Sequence, residues 1–376
     1  MKNLFRVTAA LALIAVHHPA AAASATVTRA GQFNPESAQG LKVRNLIGDI
    51  RVERGTGPGF HVTARATIDA QSQAEAERLL GLIEFRSSDI GAGSRFEVRY
   101  PREHFRKIYW SGGSSSWWGL SYTEYLGQRI RLTADRDDAP AVRVDLVIRA
   151  PVGSKLDVDN VFGEQVANGV SGELRLDGGS GLLRSTGGDG RLELDNGSGA
   201  VEVLGHRGVV DADTGSGSVT IADCECEITA DTGSGSVEIR NGKGRLHADT
   251  GSGRVVVEGF SGPITADTGS GSVRARGVKD VRELDVDTGS GGVSVDGDLS
   301  ALERLRIDTG SGSVDLRSST MPSIEIRIDT GSGGVDIDAP GADVRESDGV
   351  WTVRMGAGSG RGVIDTGSGS VDIRVP

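Results

Sequence analysis

The run Asp-Thr-Gly-Ser-Gly recurs eight times in the second half of this chain, and its spacing constrains the fold more than any other feature. The aspartate of this run or a near copy falls at 177, 195, 213, 231, 249 and 267, always eighteen residues apart, and then at 287, 308, 329 and 365. A fixed period of this kind means one structural unit stacked on itself. Apolar residues also recur as i, i+2 pairs every nine residues: Val210/Ala212, Val219/Ile221, Ile228/Ala230, Val237/Ile239, Leu246/Ala248 and onward. Spacing of two with one apolar face describes a half-buried strand. A triangular coil would show three apolar beats in eighteen residues, and this chain shows two. The expectation is an all-β, two-sheeted parallel β-solenoid over 151–376, with eighteen-residue coils made of two nine-residue half-coils. After residue 275 the coils lengthen to 20 or 21 residues, which places small insertions on one edge.

Composition agrees with a turn-dense β fold. The chain has 376 residues, 57 of them Gly, and 4% aromatics. Residues 1–23 read as a signal peptide: Lys2 and Arg6 give the positive start, Leu11–Val16 the apolar core, and Ala20–Ala23 the small residues for cleavage. The apolar run is too short to span a bilayer. The expected location is the periplasm, the extracellular space or the cell surface, with no transmembrane segment in the mature chain and no carboxyl-terminal sorting signal. The formal charge of −11 argues against a nucleic-acid partner. Cys224 and Cys226, the only cysteines, flank one glutamate, and export favours a small-ring disulfide between them.

Asp-Thr-Gly-Ser is also the signature of aspartic proteases, which bring two such aspartates together to share a proton. Copied on a coil repeat, the aspartates form a line and not a dyad. The expected role is structural, with Asp accepting backbone N–H bonds two residues on and Gly supplying positive φ. The cost is a column of like charges, which raises carboxylate pKa values or recruits cations. Weak calcium binding at Asp213, Asp231, Asp249 and Asp267 stands second to the hydrogen-bonded turn, because calcium β-rolls place Asp after the glycines and this chain places it before; no other metal and no cofactor is implied.

Residues 24–150 have a different texture and read as a β-rich capping region. Leu41–Val52 gives two short strands around a Gly turn, and Ala74, Ala76, Leu79, Leu80 and Ile83 mark one helix at about 71–83. Within it, the loop 102–128 holds Tyr109, Trp110, Trp117, Trp118, Tyr122 and Tyr125, with Ser111–Ser116 between the tryptophans and basic residues nearby. Aromatics flanking a polar loop suit a glycan, partner or membrane-interface contact, or a hydrophobic cap over the first coil. Trp110, Trp117, Trp118, Tyr109 and Tyr122 are the candidate ligand-binding residues. No catalytic constellation emerges from the sequence.

The pattern Leu41-x-Val-x-Asn-x-x-Gly-Asp-Ile-x-Val, one helix, an Ala-Pro-x-Gly entry and then Asp-x-Gly-Ser-Gly-x-Val repeats resembles a bacterial domain-of-unknown-function family of β-strand-repeat "putative adhesins". The resemblance spans roughly 40–376 and implies a non-enzymatic scaffold that binds a cell-envelope glycan or surface component. Two alternatives stand beside it. One is an envelope-stress or signalling protein that docks a protein partner through a sheet face. The other is a polysaccharide-active enzyme using outward carboxylates such as Asp315 and Asp336.

Overall fold

The computed structural model describes residues 25–33, 40–91, 93–101, 103–109, 121–133 and 139–376. The chain divides into two compact units at Gly181/Leu182. Each is built from two sheets of mostly parallel strands, the two-sheeted β-solenoid that the nine-residue beat requires.

In the second unit, the strands Val201–Leu204, Val219–Ala222, Val237–Arg240 and Val255–Glu258 stack in parallel on one sheet. The strands Asp189–Asn196, Arg207–Thr214, Glu225–Thr232, Leu246–Thr250 and Ile264–Thr268 stack on the other. The inward positions and the repeated aspartates pair like with like: Val219 with Val237, Ala230 with Ala248, Asp231 with Asp249. The apolar pairs face inward and are at most 1% exposed from Val219/Ile221 through Val255/Val257. Each side chain therefore packs against its copy in the coils above and below, which makes stability nearest-neighbour. The longer coils place their extra residues at the edge before Glu283 and Arg304, where Val278, Val281, Leu299 and Leu302 turn inward and are buried.

The last coils are not laid down in chain order. Coil 304–318 is followed in sequence by coil 324–338, but coil 360–374 lies between them. Arg304–Thr309 pairs with Gly360–Thr366, which pairs on its other edge with Ile324–Asp329. Val314–Ser318 and Val335–Asp338 likewise flank Val371–Arg374. The intervening hairpin, Asp343–Ser347 and Val350–Met355, adds antiparallel to the far edge of Ile324–Asp329. The hairpin 343–355 thus extends this sheet at its edge.

In the first unit, the solenoid starts earlier than the apparent repeat. Gly40–Ile47 pairs in parallel with Ser154–Phe162, and Ile50–Arg54 with both Ala141–Ala150 and Gln165–Asn168. Leu41–Val52 is therefore a full coil, placed within the expected capping region but stacked on its neighbour across more than 100 residues. Residues 55–150 are an insertion between two adjacent rungs. Within it, His61–Ala70 lies antiparallel between Ala25–Phe33 and Ala141–Ala150. The helix Gln73–Leu82 follows, its start fixed by Ser72, whose hydroxyl accepts from the Glu75 N–H at 3.3 Å. Ala76, Leu79 and Leu80 form its buried face. The hairpin Glu84–Asp89/Ser94–Arg99 joins the edge of Gly40–Ile47.

Candidate functional site

Two features concentrate polar and aromatic side chains: the repeated turn of the second unit and the aromatic segment of the first.

Alternation along each strand decides the repeated turn. In Ala230-Asp231-Thr232 the alanine and threonine face inward and the aspartate faces out. Thr214, Thr232, Thr250, Thr268 and Thr288 are at most 1% exposed. A hydroxyl buried this deeply must be paired. The Thr232 Oγ1 donates to the carbonyl of Gly217 in the preceding coil at 2.8 Å and accepts from the N–H of Gly235 in its own turn at 3.0 Å. The same two bonds recur at Thr214, Thr250, Thr268 and Thr288. Threonine is therefore the hydrogen-bonding side chain that holds these turns, where the sequence suggested aspartate. Asp329 does behave as expected, accepting from the N–H of Gly331 at 3.3 Å. The second glycine serves close approach: a Cβ on Gly235 would lie 1.7 Å from the Gly217 carbonyl oxygen.

The aspartates stand in one column on the outer face. Asp195, Asp213, Asp231, Asp249, Asp267, Asp287, Asp308, Asp365 and Asp329 occupy successive rungs. Partial burial, and then the charge of neighbouring aspartates, raise the carboxyls of Asp213, Asp231 and Asp267 above the ordinary range. Arg306 interrupts the column, with guanidinium nitrogens 3.3 Å from Asp285, 3.7 Å from Asp287 and 3.1 Å from Asp308. The four aspartates considered for calcium run along the sheet without converging. Among the described residues, no three His, Cys, Asp or Glu side chains are grouped to hold a metal ion. Asp315 and Asp336 sit two rungs apart with Asp372 between them, and Asp315 is paired with Arg317 at 2.8 Å. At the turn on the opposite edge, Cys224 and Cys226 are joined by a disulfide and are at most 4% exposed.

The aromatic segment divides by depth. Trp110, Trp117 and Trp118 lie outside the described residues. Tyr100 and Tyr125 are core. Their rings meet edge-on with centroids 6.0 Å apart, and the Tyr125 hydroxyl donates to the Val98 carbonyl at 2.7 Å, with the Arg44 carbonyl 3.0 Å away. The Tyr100 hydroxyl donates to Asn45 Oδ1 at 3.1 Å. Asn45 Nδ2 in turn donates to the Val144 carbonyl and to Asn160 Oδ1, so the asparagine of the first coil anchors the insertion to the rungs on either side. Burial raises both phenols well above their ordinary range. Tyr109 is half-buried at the end of Lys107–Tyr109, a strand that pairs with Gln128–Thr133. Tyr122 differs from all three. It is 49% exposed, and the Arg129 guanidinium carbon stands 4.2 Å from its ring centroid. That cation–π geometry fixes an aromatic face at the surface.

A concavity of about 680 Å³ opens where the insertion leaves and rejoins the coil, between Gly55–Pro58 and Pro151–Ser154. Its lining residues carry no titratable side chain.

No protein-family model matches the chain, and no curated protein matches it. One solved structure does. A putative cell adhesion protein from Clostridium sporogenes ATCC 15579 aligns over 93% of this chain and 100% of its own, at 10% identity and a TM-score of 0.21. That likeness is too distant to carry a function across. No helix among the described residues is long and apolar enough to cross a membrane.

Proposed function

We propose that the protein is an exported, non-enzymatic β-solenoid scaffold that binds a cell-envelope glycan or surface component through its aromatic segment. The observation that supports this most directly is the Tyr122–Arg129 pair. An exposed ring held by a guanidinium is ordered before any ligand arrives, so binding costs little additional side-chain entropy. The pair lies on the strands Ser121–Tyr125 and Gln128–Thr133, immediately after the stretch that carries Trp110, Trp117 and Trp118. Rings and guanidinium planes together suit sugar faces and headgroups. Export rests on the leader-like sequence of residues 1–23.

The test is co-sedimentation of the purified protein with peptidoglycan sacculi and with outer-membrane vesicles. Wild type is compared with Tyr122→Ala and with Trp117→Ala/Trp118→Ala. The expected result is binding by wild type that falls at least tenfold in both variants, with thermal stability unchanged in Tyr122→Ala. Absence of wild-type binding to either material would overturn the reading and favour a protein partner. Release of soluble sugar from the sacculi, abolished by Asp315→Asn or Asp336→Asn, would favour the enzyme instead.

A further inference from the structure

The coil Gly360–Arg374 occupies a slot between two coils that are consecutive in sequence. The three coils share one hexapeptide, Ile-Asp-Thr-Gly-Ser-Gly, at 307–312, 328–333 and 364–369. The register is the same on both edges of the slot: Ile364 pairs with Ile307 and Ile328, and Val371 with Val314 and Val335. We propose that this coil is an exchangeable strand pair, withdrawn from its own slot and donated to the identical slot of a second copy, giving a strand-swapped dimer.

Four observations carry the proposal. First, the cross-rung threonine bonds of the preceding coils stop here. Thr309, Thr330 and Thr366 donate to Gly312, Gly333 and Gly369 of their own turns, so these hydroxyls stay satisfied when the coil leaves. Second, the segment leading into the coil is Gly356-Ala357-Gly358-Ser359, with positive φ at both glycines. It can serve as a hinge whose path is easily changed. Third, the walls of the slot need not stay exposed while the coil is out. Coil 324–338 follows coil 304–318 by 21 residues, the same step by which 304–318 follows 283–297, so the two can seat directly on one another. Fourth, the coil cannot remain free in water, because Ile364, Val371 and Ile373 are at most 1% exposed in the slot. It needs walls of matching register, and a second copy of this chain supplies that slot and gives a strand pair in return. Reciprocal donation closes the pair with two-fold symmetry.

The experiment uses the full chain with Ser313→Cys/Ser370→Cys. These exposed serines face each other across the slot with hydroxyl oxygens 3.2 Å apart. The native cysteines are buried and already paired. Protein is incubated at low and high concentration, oxidised, and separated on a non-reducing gel. An exchanged coil gives a covalent species of twice the monomer mass. By mass action its ratio to monomer rises about tenfold for a tenfold rise in protein. A link formed only within one chain at every concentration overturns the proposal, as does failure to form any link, since the coil is then not in the slot. Light scattering on unmodified protein gives an independent readout. Absence of a dimer that forms on concentration and persists on rapid dilution likewise overturns it.

Discussion

Two stretches of the second unit use the same turn sequence in different ways. From Thr214 to Thr288 each buried threonine hydroxyl reaches back to a glycine carbonyl of the coil before it. At Thr309, Thr330 and Thr366 the hydroxyl turns to its own glycine three residues on. The first arrangement adds a side-chain bond from rung to rung, and the second leaves the backbone ladder and packing alone to join the rungs. The interruption of chain order falls in the second stretch. One motif thus yields a locked ladder where its bonds cross between coils and a separable stack where they do not.

The largest effect should appear at the glycines, and there the two stretches should behave alike. In the locked stretch, Gly235→Ala drives a Cβ into the Gly217 carbonyl and should cost about 3 kcal/mol or more. The equivalent Gly369 of the last coils would place a Cβ 2.0 Å from the Gly312 carbonyl oxygen, so Gly369→Ala should cost about as much. Chemical denaturation of the two variants beside wild type measures both. A much smaller cost at Gly369 would show that backbone packing, and not only the threonine bond, is relaxed in the last coils.

The difference between the stretches is expected at the hydroxyls. Thr232→Val leaves the Gly217 carbonyl and the Gly235 N–H without their side-chain partner and should cost about 2 kcal/mol. Thr330→Val removes one bond inside its own turn and should cost about 1 kcal/mol. A cost at Thr330 matching or exceeding that at Thr232 would show that the cross-rung bond contributes nothing special.

The smallest effect concerns the acidic column. The carboxyls of Asp213, Asp231 and Asp267 are raised, so the folded chain holds these protons more tightly than the unfolded one. Their contribution to stability is fully present below the ordinary aspartate value of about 3.9 and is lost as pH rises through the raised values. Asp231→Asn should therefore be slightly more stable than wild type at pH 7, by less than about 0.5 kcal/mol, and the gap should close by about pH 4. Thermal melts at the two pH values test this, and a gap that does not change with pH counts against the column.

The nine-residue beat made the two-sheeted solenoid legible because burial of Val219/Ile221 or Ile228/Ala230 needs only local alternation. The same alternation places Thr232 inward beside Ala230, so the threonine bonds were also readable; the aspartate drew attention because it carries the charge. Leu41 and Ile50 stand nine apart, which marks the first coil, yet its partner Leu156 lies beyond an insertion that breaks the period. The order of the last coils could not be read at all. Rungs that share Ile-Asp-Thr-Gly-Ser-Gly are interchangeable at the level of pattern, and only the hairpin 343–355 on the edge of Ile324–Asp329 distinguishes one placement from another. In the aromatic segment, composition grouped Tyr109, Tyr122 and Tyr125 together, whereas depth separates them: Tyr125, with Tyr100, holds the insertion to the coil, and Tyr122 faces solvent.

Native-state hydrogen exchange, followed residue by residue, tests the division between locked and separable coils most directly. Amides of the strands Val219–Ala222, Val237–Arg240 and Val255–Glu258 should exchange only on global unfolding. Those of Gly360–Thr366 and Val371–Arg374 should exchange earlier, together, as one sub-global unit. Protection of coil 360–374 equal to that of the coils between 219 and 258 would contradict the account.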